Sequence, residues 1–199
     1  MNTKLEGANK TLEEQIKVLT EILSRNQKLM KLLKILESDG LENYYVTAGC
    51  INQTIFNYYH DYDINYGIND FDIVYYDKDI TYEKEDIIIK RLTKRINKLN
   101  IKTDIKNQAR VHLWYYEKYG IKRIPYTSVE DAISKFGTTI TCIGVRLEQN
   151  KLIVYAPYGL NDIFKMILRP VKIEFTKEHY DEKTNNWMNK WPKLTKIDW

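Results

Sequence analysis

Three aspartates, Asp70, Asp72 and Asp104, are the strongest candidates for a reactive site in this chain. Asp70 and Asp72 stand two apart in the strand-like run DFDIVYYD. Because side chains alternate across a strand, both carboxylates point to one face of a sheet. Asp104 lies in a second strand-like segment, TDIK. If that strand neighbours the first, a third carboxylate joins the same site.

Carboxylates gathered in this way repel one another unless a cation neutralises them. Mg²⁺, or Mn²⁺ in its place, binds through carboxylates together with substrate phosphates. Two such ions can clamp the attacking and leaving oxygens of a phosphoryl-type displacement. The plainer interpretation of Asp70 and Asp72 is a solvated strand face. The apolar residues around them favour a site.

A strand, a glycine and a helix precede these aspartates. The β-prone run YYVT reaches Ala48 and Gly49 and passes into the helical run INQTIFNYYH. Glycine permits close backbone approach, and a helix N-terminus offers free N–H groups to a phosphate. A simple tight turn explains Gly49 equally well when it is taken alone.

The elements that must position these residues can be predicted from capping signals and apolar periodicity. The predicted helices are two N-terminal ones (about 11–23, and a second that ends at Asp39-Gly40), one after Gly49, one over about 81–99 and a short one capped by Ser128. The predicted strands are 44–47, the run from Phe71, the segment 102–106 and a hairpin made by TTITCIGVRL and LIVYA. After Gly159 we expect one short helix and a tail that carries tryptophans.

Helices that alternate with short strands and a hairpin indicate the α+β or α/β class. The length of 199 residues fits one domain. We expect N-terminal helices over 1–40, a catalytic core over 41–170 and a tail over 171–199 that packs on the core.

Composition excludes several classes of protein. The net charge is +4 and no run of five or six like charges occurs, so a polybasic tail for nucleic acid or a membrane is absent and nothing indicates DNA. The two cysteines, Cys50 and Cys142, give no zinc-ligand spacing. No apolar run is long enough to cross a bilayer. We expect a cytoplasmic protein without a membrane partner.

A glycine at a strand-to-helix turn, Asp-x-Asp on the next strand and one acidic residue on a later strand together resemble the polymerase-β-type nucleotidyltransferase superfamily. Four blocks occur in order between residues 40 and 170: AGCINQTIFN, INDFDIVYYD, IKNQARVHLWY and APYGLNDIF. Within the superfamily, these blocks are similar to a mostly microbial branch known simply as nucleotidyltransferase family proteins. The implied fold is polymerase-β-like, α+β, with a mixed or antiparallel sheet flanked by helices.

The resemblance also implies roles for individual residues. Gly49 stands for the glycine that lets the backbone cradle a triphosphate. Asp70 and Asp72 hold the metal pair, and Asp104 is the third metal carboxylate, placed to accept the proton of the incoming hydroxyl. The implied reaction transfers a nucleoside monophosphate from a nucleoside triphosphate such as ATP to a hydroxyl acceptor and releases pyrophosphate.

Other residues near these blocks are candidates for nucleotide binding. Lys106 and Arg110 follow Asp104 closely, and the planar guanidinium of Arg110 suits a phosphate, although an ion-paired arginine is an equal alternative. Cys50 occupies the position after Gly49, where the superfamily usually has Ser or Gly. About twenty residues separate Gly49 from Asp70, more than is usual.

These departures keep a second hypothesis open, a nucleotide- or RNA-binding module that has lost transfer. A metal-dependent phosphohydrolase is a weaker third, because no set of histidine ligands accompanies the aspartates. The acceptor stays open between a small molecule, an RNA end and a protein side chain. The residues also select neither a preferred triphosphate nor an oligomeric state.

Overall fold

The computed structural model describes residues 4–120 and 122–199. Residues 1–3 of the predicted N-terminal unit and residue 121 of the predicted core therefore lie outside the described residues. The helices are α1 (Leu12–Ser24), α2 (Gln27–Asp39), α3 (Gly49–His60), α4 (Tyr82–Ile96), α5 (Val111–Tyr119), α6 (Val129–Ile133), α7 (Asn161–Phe164) and α8 (Lys177–Lys190). The strands are β1 (Tyr44–Thr47), β2 (Phe71–Tyr75), β3 (Thr103–Asn107), β4 (Gly144–Glu148), β5 (Lys151–Tyr155), β6 (Ile167–Leu168) and β7 (Thr195–Lys196).

The two N-terminal helices begin and end at their capping residues. The Thr11 hydroxyl accepts from the Glu14 N–H, and the Glu14 carboxylate accepts from the Thr11 N–H at 3.0 Å. Asn26 starts α2 by accepting from the Leu29 N–H at 3.1 Å. Gly40 ends it in the left-handed conformation, with φ of 75°. The predicted helices in this region are confirmed.

Five strands form one mixed sheet in the order β3-β2-β1-β4-β5. β2 and β3 are parallel, and the other neighbouring pairs are antiparallel. The parallel pair is joined through α4, as a parallel connection requires. The β4–β5 hairpin turns at Gln149 and Asn150, whose φ values of 51° and 62° suit a tight turn. The predicted α+β class, with a mixed sheet flanked by helices, is confirmed.

One face of the sheet packs against the large core, and the other face carries Asp72. Val46, Ile73 and Ile105 point to one face and belong to the large core that also buries the apolar sides of α1 to α4. Asp72 has the opposite parity on β2 and points to the other face, which Tyr45 shares with a smaller apolar cluster under α6. Burial of the first face fixes the register of the strands, and the register places Asp72 on the second.

The C-terminal region contains more structure than the sequence predicted. α8 is a full helix of 14 residues, and β6 and β7 form a small parallel sheet of their own. Trp191 follows α8, is fully buried, and its indole N–H donates to the Asn57 side-chain oxygen at 2.8 Å. α5 was also missing from the prediction. Among the described residues, no helix is both long and apolar enough to cross a membrane.

Candidate active site

Asp72 and Asp104 lie opposite one another on the parallel strands β2 and β3. The same row of the sheet continues from Asp72 to Thr47 on β1 and from Thr47 to Gly144 on β4. Side chains in register on neighbouring strands share a face. The sheet therefore brings together two of the predicted carboxylates, and Asp70 comes just before β2.

The electrostatics of Asp72 reflect this gathering of carboxylates. Burial, together with the charges of Asp70 and Asp104, raises the pKa of Asp72 to about 6. The positive charges of Lys106 and Lys183 act in the opposite direction and lower the same pKa. A cation would stabilise the ionised form of Asp72, because this carboxylate is half-buried and lies near two like charges.

A lysine already neutralises part of this group. Lys106 and Asp104 form an ion pair, and about 39% of the Asp104 side chain is exposed. Within residues 4–120 and 122–199, no three His, Cys, Asp or Glu side chains stand close enough to hold a metal ion as arranged. The donors are nevertheless the hard oxygens that Mg²⁺ prefers, and Asp72 and Asp104 share a row. The donor set fits this ion, provided that Asp104 exchanges Lys106 for the metal.

The turn between β1 and α3 differs from the prediction in one respect. The strained residue is Ala48, with φ of 57° and ψ of −131°, a conformation that favours glycine. A Cβ on Gly49 would meet only the tip of the Gln53 side chain, at 3.3 Å. The fold therefore leaves the space beside Gly49 almost open. No side chain caps α3, so its first N–H groups are available to a ligand.

Cys50 does not offer its thiol to this space. The residue is fully buried, and its thiol donates to the Thr47 carbonyl at 3.4 Å. Burial raises the pKa of Cys50 well above its usual value, so the thiol is inert. Any contact between Cys50 and a nucleotide is limited to the backbone N–H, and its side chain is part of the core.

A cleft of about 270 Å³ opens beside Asp72. Its walls come from the end of β1, from β2 and β3, from the segment after β3 with the helix α5, from residues 123–141, and from Phe175 and Lys183 in the C-terminal region. Aromatic side chains on these walls are Trp114, Tyr115, Tyr126, Phe136 and Phe175. Cationic side chains are Lys106, Arg123, Lys135 and Lys183. Aromatic faces can stack on a base, and cations suit phosphates, so the cleft has the chemistry of a nucleotide site.

Arg110 is the predicted phosphate ligand that the structure places elsewhere. Its Nε lies 2.9 Å from the Glu85 carboxylate, and another guanidinium N–H donates to the Ile80 carbonyl at 2.9 Å. Arg110 is buried and does not line the cleft. The structure thus shows the ion-paired arrangement that the sequence left open for Arg110: this arginine ties the start of α4 to the segment after β3.

Sequence reasoning missed the part of the site that comes from the C-terminal half. Arg123 forms an ion pair with Glu174, and its guanidinium stacks 3.6 Å from the Tyr115 ring centre. Lys183 on α8 reaches the same cleft as Asp72. No local spacing connects these residues to the aspartates, because only the tertiary fold brings α8 over the sheet.

A family profile and a solved structure both relate this chain to nucleotidyltransferases. The sequence profile of a family described as Nucleotidyltransferase matches residues 34–196. A solved NMR structure described as revealing a CCA-adding enzyme head domain is similar to this chain, with a TM-score of 0.72 and 27% identity. The similarity covers 92% of this chain and 96% of that one. No curated protein matches the sequence. The superfamily and fold expected from the sequence are confirmed.

Proposed function

The chain belongs to the nucleotidyltransferase family, and we propose that it is a metal-dependent enzyme that transfers a nucleoside monophosphate from a nucleoside triphosphate to a hydroxyl acceptor. The acceptor oxygen forms a bond to the α-phosphorus, and the bond from that phosphorus to the bridging oxygen breaks. Pyrophosphate leaves, and the hydroxyl proton passes to a carboxylate. ATP is among the triphosphates to be tested.

The observation that carries this proposal is the pairing of Asp72 with Asp104 across β2 and β3, beside a cleft lined by cations and aromatic rings. Family membership alone would leave the location of the site open. The two facing carboxylates support the proposal that the reaction takes place on this face of the sheet, at the part of the cleft beside Asp72.

The residues of the proposed site divide between metal binding, proton transfer and phosphate binding, and Asp104 has two of these roles. Asp70, Asp72 and Asp104 would hold Mg²⁺ or Mn²⁺, which when bound neutralises the charge that develops around the transferring phosphorus. The Asp104 carboxylate accepts the proton of the acceptor hydroxyl. The N–H groups of Gly49 and Cys50 bind phosphate oxygens at the start of α3, and Lys106 leaves Asp104 to contact phosphate.

One observation favours a second candidate, a nucleotide-binding module that has lost transfer. The Lys106 ammonium forms an ion pair with Asp104, the carboxylate proposed as proton acceptor. If that ion pair persists when nucleotide is bound, binding survives and transfer does not.

The test is incubation with each α-³²P-labelled triphosphate, Mg²⁺ and three acceptor pools: small molecules, RNA and proteins from a cell extract. We expect Mg²⁺-dependent transfer of label with release of pyrophosphate, and loss of both in Asp72→Asn. The matched control is Asp86→Asn, because Asp86 is a carboxylate on α4 paired with Lys90. Its turnover should equal that of the wild type.

The alternatives give different outcomes in the same assay. Mg²⁺-dependent binding without transfer to any pool supports the module, and release of inorganic phosphate supports a phosphohydrolase. Equal turnover in the wild type and in Asp72→Asn contradicts the proposed site.

A further inference from the structure

The cations of the cleft differ in whether a carboxylate neutralises them. Lys106 pairs with Asp104, Arg123 with Glu174, and Lys135 with Asp131 at 2.8 Å. Within the described parts of the chain, no hydrogen bond or ion pair ends on the ammonium of Lys183. This lysine and Asp72 line the same cleft without forming an ion pair.

The surroundings of Lys183 hold its ammonium in place. The Nζ atom lies 5.0 Å from the Trp187 ring centre and 5.9 Å from that of Phe175, so two aromatic faces stabilise the charge. α8 itself is firmly anchored, because Tyr180 is fully buried and its hydroxyl donates to the Leu168 carbonyl at 2.8 Å. The lysine is therefore fixed at the cleft by its helix, and within the described residues no carboxylate forms a direct ion pair with it, although the charge of Asp72 acts on it through the cleft.

We propose that Lys183 binds the phosphates of the nucleotide and that α8 is thereby part of the active site, an inference that rests on the proposed function. Lysine is a compact donor of three hydrogen bonds and suits non-bridging phosphate oxygens. A triphosphate whose α-phosphorus lies by Asp72 brings several negative charges into a cleft of about 270 Å³. Lys183 is the cation that can meet them without first losing a carboxylate.

A purely structural lysine would behave differently. If Lys183 served only to cover the rings of Trp187 and Phe175, its removal would weaken all ligands alike or destabilise the fold. If it binds phosphate, the loss of affinity is confined to ligands that carry the phosphate chain. The experiment therefore compares ligands with and without that chain.

The probes are inorganic tripolyphosphate with Mg²⁺, the α,β-methylene analogues of the four common triphosphates, and the four nucleosides. The variants are Lys183→Met, which keeps the apolar stem, and Lys183→Arg, which keeps the charge. Lys190→Met is the matched control, because Lys190 is an exposed lysine on the same helix. Calorimetry gives the affinities.

We expect Lys183→Met to weaken binding of tripolyphosphate and of the best analogue by about tenfold or more. Nucleoside affinity should stay as in the wild type, Lys183→Arg should recover most of the loss, and Lys190→Met should change nothing. If the wild type binds an analogue and Lys183→Met binds it as tightly, or loses nucleoside affinity to the same extent, the role of Lys183 is refuted while the proposed function stands. If the wild type binds none of the probes with Mg²⁺ and transfers no label, the proposed function fails, and this inference with it.

A measurement on the wild-type chain covers the case in which Lys183→Met does not fold. Lysines labelled with ¹³C at Cε give NMR signals, and the signal absent from Lys183→Arg belongs to Lys183. Addition of tripolyphosphate with Mg²⁺ should shift this signal and leave that of Lys190 in place. A Lys183 signal that does not move at saturation overturns the proposal.

Discussion

Lys106 and Asp104 stand two apart on β3, on the same face, and their side chains form an ion pair beside Asp72. In the proposed reaction Asp104 exchanges this lysine for a metal ion. The ion pair and the metal therefore compete for one carboxylate.

Removing the lysine charge should strengthen metal binding in the absence of nucleotide. Lys106→Met is expected to tighten Mn²⁺ binding by about two- to fivefold, the range for loss of a partly exposed ion pair. Electron paramagnetic resonance of free Mn²⁺ measures this. Lys135→Met is the control, because Lys135 lines the same cleft but pairs with Asp131. Equal Mn²⁺ affinity in Lys106→Met and the wild type would show that the pair does not compete with the metal.

The raised pKa of Asp72 predicts a pH-dependent stability. Its folded pKa is about 6 and its ordinary value 3.8, so the folded state binds the proton more tightly than the unfolded state does. The contribution of Asp72 to the free energy of unfolding of the metal-free wild type should therefore fall by about 1 to 3 kcal/mol as the pH rises from about 4 to about 6.

The variant Asp72→Asn removes that dependence. Without metal it should be more stable than the wild type at pH 7, by about 1 to 3 kcal/mol, and the difference should shrink towards pH 4. Urea unfolding of the wild type and of Asp72→Asn at the two pH values measures it. A difference between Asp72→Asn and the wild type that is the same at both pH values would contradict the raised pKa.

The strained backbone at Ala48 leads us to expect that a glycine at this position stabilises the protein. Its φ of 57° and ψ of −131° lie where glycine is at ease and a Cβ is strained. We expect Ala48→Gly to raise the free energy of unfolding by about 1 kcal/mol. Ala132→Gly in α6 should lower it, since that alanine is helical and fully buried. If both variants are destabilised alike, the strain at Ala48 is absent.

Trp191 links the C-terminal region to α3. Its indole N–H donates to Asn57, whose amide in turn donates to the carbonyls of Ile64 and Tyr66. Trp191→Phe leaves the Asn57 oxygen buried without a donor and should cost about 2 to 4 kcal/mol of stability. Trp199→Phe, at the end of the chain, should cost less than about 1 kcal/mol. Similar losses in the two variants, measured by urea unfolding, would contradict the anchoring role of Trp191.

The carboxylate site was predictable because it depends on local spacing. Two aspartates of equal parity on an apolar strand must share a face, and Asp104 lies in a strand that the sequence also predicts. The parallel pairing of β2 with β3 then places Asp72 beside Asp104. That pairing is a tertiary fact, so the sequence alone left it conditional.

The other wall of the cleft was not predictable, for two physical reasons. α5 carries aromatic residues on several sides and α8 is mostly polar. Neither helix therefore has the apolar stripe by which a helix can be predicted from the sequence. Lys183 and Phe175 line the same cleft as Asp72 only because the tertiary fold brings distant parts of the chain together. The ion pair of Arg110 with Glu85 was not predictable either, because the position of Arg110 after Asp104 does not indicate a partner on α4.

Whether Asp72 and Asp104 hold the metal can be seen in a crystal structure of the wild type with Mn²⁺ and an α,β-methylene triphosphate analogue that the chain binds, with anomalous scattering used to locate the metal. We expect a Mn²⁺ peak between the carboxylates of Asp72 and Asp104, with Lys106 moved away from Asp104. A bound analogue without Mn²⁺ at Asp72, or with Lys106 still paired to Asp104, would refute the proposed metal site.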